Sequence, residues 1–152
     1  SFKHKFRLLK NLIIKSPKSK KEFEAYSHFR WENLRKPLKM PIESMFDDLE
    51  KSSIHLIAVI TERIVAAGRV HFNSSNQAQI RFMCVDKDFR REGLGSKILS
   101  ELEKHALKGG CSEVMLNARD IAMNFYLSSG YKKIRTYNSE TGLPHTQMKK
   151  IF

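Results

Sequence analysis

Two glycines stand one residue apart where a charged stretch of the chain becomes a helical pattern. The stretch begins at Val85, reads VDKDFRREGLGSKILSELEKHA, and places Arg90 and Arg91 before Gly93 and Gly95. A helix begins with unpaired N–H groups and a partial positive charge, so its first turn binds anions, and phosphates in particular. Glycine lets the backbone approach a ligand closely because it has no Cβ. The spacing therefore predicts a pyrophosphate-binding turn.

Two common phosphate-binding motifs do not fit this turn. The dinucleotide fingerprint needs G-x-G-x-x-G directly after a strand. Here position 98 is an isoleucine, and residues 86–89 separate the strand from the turn that carries the glycines. A Walker A loop needs Gly-Lys-Ser/Thr, which the chain lacks. Dinucleotide and nucleoside-triphosphate binding are therefore disfavoured, and an ordinary helix N-terminus stays open as the alternative.

The first half of the chain supplies strands that would lead into the glycine turn. A short apolar piece predicts a strand over residues 12–15, and apolar positions at helical spacing predict a helix over residues 19–34. Three further strand patterns follow, joined by short turns that favour antiparallel pairing. These patterns cover residues 54–60, 64–72 and 77–85.

The second half of the chain alternates helices with strands. Apolar residues at helical spacing predict a helix over residues 94–107, which Gly109 and Gly110 close. Beyond it we expect a strand over residues 113–117, a helix over 120–130, and late strands over 131–137 and 145–152. The order β-α-β-β-β-α-β-α-β-β predicts an α/β fold with a mixed sheet.

Composition limits the kind of protein. The chain has 152 residues, of which 41% are hydrophobic and 29% are charged, which suits a single domain spanning residues 1–152. We expect a cytoplasmic location without a membrane span, because no apolar run approaches the roughly 20 residues that a span needs. Cys84 and Cys111 lack metal-ligand spacing, so we expect buried thiols and no metal site.

The charge is concentrated near the N-terminus. Residues 1–40 hold 12 Lys and Arg against 3 Asp and Glu, so they carry most of the net charge of +12. A basic segment of this kind, including an extension at residues 1–10, could bind nucleic acid or an anionic surface. We favour a solvated helix face instead, because no stacking aromatics interleave with the basic residues.

The glycine turn resembles the acetyl-coenzyme A motif of the GNAT superfamily of N-acetyltransferases. The core of that motif is Gln/Arg-x-x-Gly-x-Gly/Ala, which Arg90, Gly93 and Gly95 fill. Three more segments resemble the family and its small bacterial branch: NARDIAMNFYLSSGYKKI, TGLPHTQMKK and WENLRKPL. The resemblance spans about residues 11–150. It implies the GNAT fold, a mixed and mostly antiparallel sheet flanked by helices.

The resemblance also implies which residues hold acetyl-CoA or coenzyme A. The end of the strand before the glycines would pair with the pantetheine arm, and backbone N–H groups of residues 91–96 would hold the pyrophosphate. Polar residues of the next strand and the following helix would add contacts. The expected cofactor-binding residues are Met83, Cys84, Val85, Arg90, Arg91, Gly93, Leu94, Gly95, Ser96, Asn117 and Asn124.

The implied reaction is transfer of the acetyl group to a primary amine by direct attack in a ternary complex. Tyr126 matches the general acid of the family and would protonate the leaving thiolate, although a core aromatic is the alternative. A backbone N–H near Val85 would stabilise the oxyanion. His145 is the favoured residue near the acetyl group, and the other candidate bases are His71, Gln79 and Glu43.

The acceptor is expected to be a small-molecule or peptide amine. In the family, the loop after the first helix helps to build the acceptor site, and here it carries Glu43, Asp47 and Asp48. These carboxylates would attract a cationic amine, or they form a solvated acidic loop. Two other functions stay open, a sensor that binds acetyl-CoA without turnover and an acetyltransferase associated with nucleic acid. Homodimers are frequent in the family.

Overall fold

A computed structural model describes residues 9–152 of the chain. The strands are β1 (Ile13–Lys15), β2 (Ile54–Ile60), β3 (Arg63–Phe72), β4 (Gln77–Val85), β5 (Glu113–Arg119), β6 (Lys132–Asn138) and β7 (Pro144–Ile151). The helices are α1 (Lys20–Leu34), α2 (Leu94–Lys108) and α3 (Met123–Ser128). Their order along the chain is the one that the sequence predicted. Of the basic extension predicted at residues 1–10, residues 1–8 lie outside the described part.

The strands form one sheet in the order β1-β2-β3-β4-β5-β7-β6. Neighbouring strands are antiparallel except for β4 and β5, which are parallel. Thr61 and Glu62 have φ of 46° and 65°, the left-handed values of a tight hairpin turn between β2 and β3. A parallel pair needs a crossover connection, which α2 provides between β4 and β5. The predicted α/β fold with a mixed, mostly antiparallel sheet is confirmed.

The two long helices cover opposite faces of the sheet. Ser19 caps α1 by accepting a hydrogen bond from the Glu22 N–H, and the helix buries Tyr26 against Ile57 on one face. On the other face α2 buries a stripe that includes Ile98 and Leu102. The main hydrophobic core lies between α2 and the sheet, with a smaller one under α1.

Strand β4 is distorted in its second half. The β3–β4 register passes from Arg69↔Arg81 to Ala67↔Cys84, so two residues of β4 stand opposite one of β3, which is a β-bulge. Phe82 lies in the bulge with φ of 56°, a strained value for an aromatic residue. The ladder between β4 and β5 ends at the pair Ile80↔Leu116. The two parallel strands therefore separate toward their carboxyl ends and leave an opening in the sheet.

Two elements differ from the predicted ones by more than one residue at a boundary. Strand β5 continues to Arg119 rather than ending at Asn117, because its last residues pair with β7. The helix predicted over residues 120–130 consists of a 3₁₀ turn, Asp120–Ala122, followed by the short α3. No helix among residues 9–152 has the length and apolarity needed to cross a membrane.

A buried polar cluster ties α2 to the late strands. The Tyr131 hydroxyl donates to Glu103 at 2.8 Å, and the Lys150 ammonium lies 3.2 Å from the same carboxylate oxygen. Glu103 and Tyr131 are both buried. Hydrogen bonds of this kind stabilise because they replace the water that a buried carboxylate has lost.

We expect Tyr131→Phe to destabilise the fold, because Glu103 would lose its buried hydroxyl donor. The loss should be about 1.5–3 kcal/mol, the usual range for hydrogen bonds to charged groups. Tyr137→Phe is the matched control, since Tyr137 is exposed on β6. Urea denaturation of the three proteins measures the difference, and equal unfolding midpoints would contradict the expectation.

Candidate active site

The opening between β4 and β5 continues into a cleft of about 170 Å³. The divergent ends of the two strands form its floor, and α3 closes one side. The end of α1 and the loop between β6 and β7 close the other side. Among the lining residues are Met83, Asn117, Tyr126, Tyr137 and His145.

The glycine turn lies beside this cleft, between β4 and α2. Arg91 and Gly93 both have left-handed backbone, with φ of 64° and 79°. No side chain of the described residues caps the first turn of α2, so its N–H groups stay available for a ligand. The Arg90 side chain reaches back to the Val85 carbonyl at 3.4 Å, which holds the turn close to the end of β4.

Gly95 has a packing role that the sequence pattern did not show. A Cβ at this position would lie 3.3 Å from a ring carbon of Phe125 and 3.7 Å from the Val85 side chain. The absent side chain thus allows the first turn of α2 to contact α3. Gly93 has open space around it, and its left-handed backbone is what favours glycine there.

Asn117 lies on β5 just beyond the point where the ladder with β4 ends. Its side-chain oxygen is buried and has no hydrogen-bond donor within the described part of the chain. Buried carbonyl oxygens of this kind are normally satisfied. Asn117 is a lining residue of the cleft, so a ligand bound there could supply the missing donor.

Tyr126 is both a core residue and a lining residue of the cleft. Its ring packs edge-on against Phe125 and Tyr131, with centroid distances of 4.9 and 5.8 Å. Burial, and to a smaller extent the nearby Cys84, raises the pKa of the Tyr126 hydroxyl. The hydroxyl has no hydrogen-bond partner among residues 9–152 and stays protonated at neutral pH. Tyr126 is therefore compatible with both interpretations of the sequence, a general acid and a core aromatic residue.

His145 lies on β7 and lines the cleft. Its Nδ1 lies 2.8 Å from the Leu143 carbonyl, which can only accept, so the proton belongs on Nδ1. In the neutral ring Nε2 then carries a free lone pair. His145 pairs with Arg119 of β5 on one side and with Tyr137 of β6 on the other.

The other candidate bases are less well placed to accept a proton in the cleft. His71 is buried between Arg69 and Asn73, outside the lining of the cleft, and burial lowers its pKa. Glu43 is exposed on a 3₁₀ turn and does not line the cleft. Gln79 lines it, but its side-chain oxygen already accepts from Asn73. Asn124, predicted to contact the cofactor, is exposed on α3.

An arginine cluster, which the sequence analysis did not predict, stands beside the bulge. Four guanidinium groups of the described residues lie 4.4–5.6 Å from the Phe82 ring centroid, a distance typical of cation–π contact. They belong to Arg30, Arg35, Arg69 and Arg81. Arg30 and Arg69 are fully buried.

The acidic loop after α1 neutralises part of this cluster. Asp47 accepts two hydrogen bonds from Arg69, at 2.7 and 2.8 Å, and one from Arg81 at 2.9 Å. Glu50 accepts from Arg30 and Arg69. The Asp47 carboxylate is therefore already bound by arginines of the protein. Asp48 is exposed. The attraction of a cationic amine that we expected from Asp47 does not fit this arrangement.

We expect Asp47→Asn to destabilise the protein by about 1.5–3 kcal/mol at neutral pH, because the buried Arg69 loses the nearer of its two charged partners. Burial opposes ionisation of Asp47, but the hydrogen bonds and charge of Arg69 outweigh it and lower the pKa to about 2. A carboxyl whose pKa is lower in the folded than in the unfolded chain stabilises the fold above its unfolded pKa of about 4. That contribution disappears as the pH falls from about 4 towards 2.

Urea denaturation at several pH values tests this expectation. The parent protein should lose stability steeply between about pH 4 and pH 2, and Asp47→Asn should lose less over that interval. Asp48→Asn removes a neighbouring exposed carboxylate that forms no ion pair with residues 9–152, and it should follow the parent protein. Parallel pH profiles for the parent and Asp47→Asn would contradict the expectation.

Comparison with known proteins agrees with this geometry. A family model described as an acetyltransferase (GNAT) domain matches residues 18–152. The uncharacterized N-acetyltransferase YjcF of Bacillus subtilis (strain 168) is 33% identical over 134 residues, which cover 88% of this chain and 95% of YjcF.

Solved structures show the same fold at low sequence identity. Escherichia coli ElaA has a TM-score of 0.75 at 21% identity and covers 91% of this chain and 97% of its own. The PaiA N-acetyltransferase from Thermoplasma acidophilum, solved in complex with coenzyme A, has a TM-score of 0.73 at 15% identity, over 93% and 99% of the two chains.

The mixed, mostly antiparallel seven-stranded sheet with its three helices has the GNAT fold of these structural neighbours. The chain belongs to the GNAT acetyltransferase family, as the resemblance predicted, and is an acyltransferase. Acetyltransferases of this family use acetyl-CoA, so the predicted cofactor is confirmed at the level of the family.

Proposed function

We propose that this protein transfers the acetyl group of acetyl-CoA to a primary amine by direct attack in a ternary complex. The observation that carries the proposal is the separation of β4 from β5 after Ile80. The resulting cleft has the unsatisfied Asn117 oxygen and Tyr126 in its lining, and the uncapped first turn of α2 lies beside it. Coenzyme A bound to PaiA supports the same use of the fold here.

The residues present fit the cofactor along its length. The edge of β4 that faces β5 has no strand partner over residues 81–85, so a pantetheine arm could pair with it as an added strand. The Asn117 oxygen would accept from a pantetheine amide. The first N–H groups of α2, with Arg90 and Arg91 beside them, would hold the pyrophosphate. Asn124 stays a predicted contact.

Tyr126 and His145 would divide the proton transfers. The bound thioester supplies the acetyl group. The Tyr126 hydroxyl, protonated at neutral pH because burial raises its pKa, would donate its proton where the thiolate leaves. The His145 Nε2 lone pair would accept a proton from the amine as it attacks.

The irregular end of β4 would stabilise the oxyanion. The bulge around Phe82 removes backbone groups from the regular β3–β4 ladder. A backbone N–H near Val85, at the irregular end of β4, is the donor that we expect. Homodimer formation, and binding of nucleic acid by residues 1–40, stay predictions.

We expect Tyr126→Phe to lower kcat at least tenfold while coenzyme A still binds, because the variant removes the acid and keeps the ring. Thiol release measures turnover, and calorimetry measures binding. Tyr131→Phe removes a buried hydroxyl outside the cleft and is the control, measured under conditions in which this less stable variant is folded. Unchanged turnover would remove Tyr126 from the mechanism. Binding by the parent protein without thiol release on a broad amine panel would favour the sensor.

We expect Asn117→Ala to weaken coenzyme A binding about 5- to 30-fold, equivalent to the loss of one hydrogen bond of about 1–2 kcal/mol. Gln147→Ala is the matched control, since Gln147 pairs with Asn117 on the adjacent strand and does not line the cleft. Calorimetric titration of each variant gives the dissociation constants. An Asn117→Ala value equal to that of the parent protein would exclude this contact.

A further inference from the structure

The lining of the cleft carries an excess of positive charge. Arg35, Arg81 and Arg119 line it, and Glu140 is the one carboxylate in the described lining. Glu140 lies 3.3 Å from Arg35 and 3.2 Å from Arg81, so a single acid serves two guanidinium groups. Asp47, the other acid on Arg81, is already bound by Arg69. These three arginines, which we call the arginine wall, therefore keep a net positive charge.

Arg35 is a buried member of this set. It follows the last residue of α1, is 7% exposed, and its Nε is buried without an acceptor among the described residues. Burial lowers the pKa of its guanidinium, and the positive charges of Arg81 and Arg119 lower it further. The negative charge of Glu140 raises the same pKa. A buried guanidinium with an unused donor is a site at which an anion would be stabilised.

Arg119 is the group most available to a ligand. It ends β5, pairs with His145 of β7, and is half-buried in the lining of the cleft. It makes no ion pair or hydrogen bond with any of residues 9–152 through its side chain. Arginine binds carboxylates through two parallel hydrogen bonds, which fixes orientation as well as charge.

We propose that the acceptor is a small amine that itself carries a carboxylate, as in the amino acid class. Its carboxylate binds Arg119 and Arg35, which places its amine near His145. The proposal rests on the proposed function and adds the chemistry of the acceptor.

The experiment measures thiol release from acetyl-CoA with three sets of amines. The first set contains free α- and ω-amino acids, the second contains the carboxamide of each, and the third contains diamines of matched length. Each acid and its amide differ in the anion alone. We expect kcat/KM to be at least tenfold higher for the preferred acid than for its amide, and lowest for the diamines.

A variant pair assigns the preference to the arginine wall. Arg119→Gln should lower the acid-to-amide ratio of kcat/KM at least fivefold, because the carboxylate loses its free guanidinium. Lys133→Gln removes the same charge from an exposed position on β6 outside the cleft, and it should keep the ratio of the parent protein. Arg35 is left unchanged, because its burial makes misfolding the expected result of substitution.

The outcomes separate this inference from the proposed function. Amides or diamines acetylated as fast as the acids would overturn the inference and leave acetyl transfer to amines in place. An unchanged ratio in Arg119→Gln would overturn the role of the arginine wall. Binding of acetyl-CoA by calorimetry without thiol release from any amine would overturn both.

Discussion

The separation of two parallel strands is the constraint on which the rest of the site depends. Sheets normally pair their strands to the end, because unpaired backbone groups in a protein interior cost free energy. Here the pairing of β4 with β5 stops at Ile80, and the bulge at Phe82 turns the remainder of β4 aside. The unpaired edge is a cost that a bound pantetheine arm would offset, since it offers the amide groups that the missing strand would have supplied.

The bulge needs support, and the arginine cluster provides it. An aromatic residue with left-handed backbone persists only where its surroundings hold it. The Phe82 ring is surrounded by guanidinium groups on α1, β3 and β4, which Asp47 and Glu50 of the acidic loop hold in place. The loop expected to attract a substrate thus acts as a structural counterion. The cleft lining with Arg35, Arg81 and Arg119 stays positively charged, whereas we had expected acidic residues to attract the substrate.

The sequence predicted the element order because period-two and helical patterns are strong in this chain, and the resemblance predicted the family and the cofactor. It did not predict the bulge, since the alternation of residues 77–85 continues through Phe82 without a break. Arg69 was a usable signal, because a lone arginine in an apolar strand requires a buried partner. The identity of the acidic partner depends on how the loop after α1 folds. The spacing of residues along the sequence does not show this. The convergence of Asn117, Tyr126 and His145 on one cleft likewise depends on the strand order.

The missing side chain at Gly95 has a consequence for the whole ligand path. Because it allows the first turn of α2 to rest against Phe125, the residue next to Tyr126, the anion-binding end and the phenol belong to one packed unit. Side-chain packing therefore sets the distance between them. With the cofactor bound as proposed, this packing would select for length, because the sulfur reaches the phenol only if the carrier spans the distance from the phosphates.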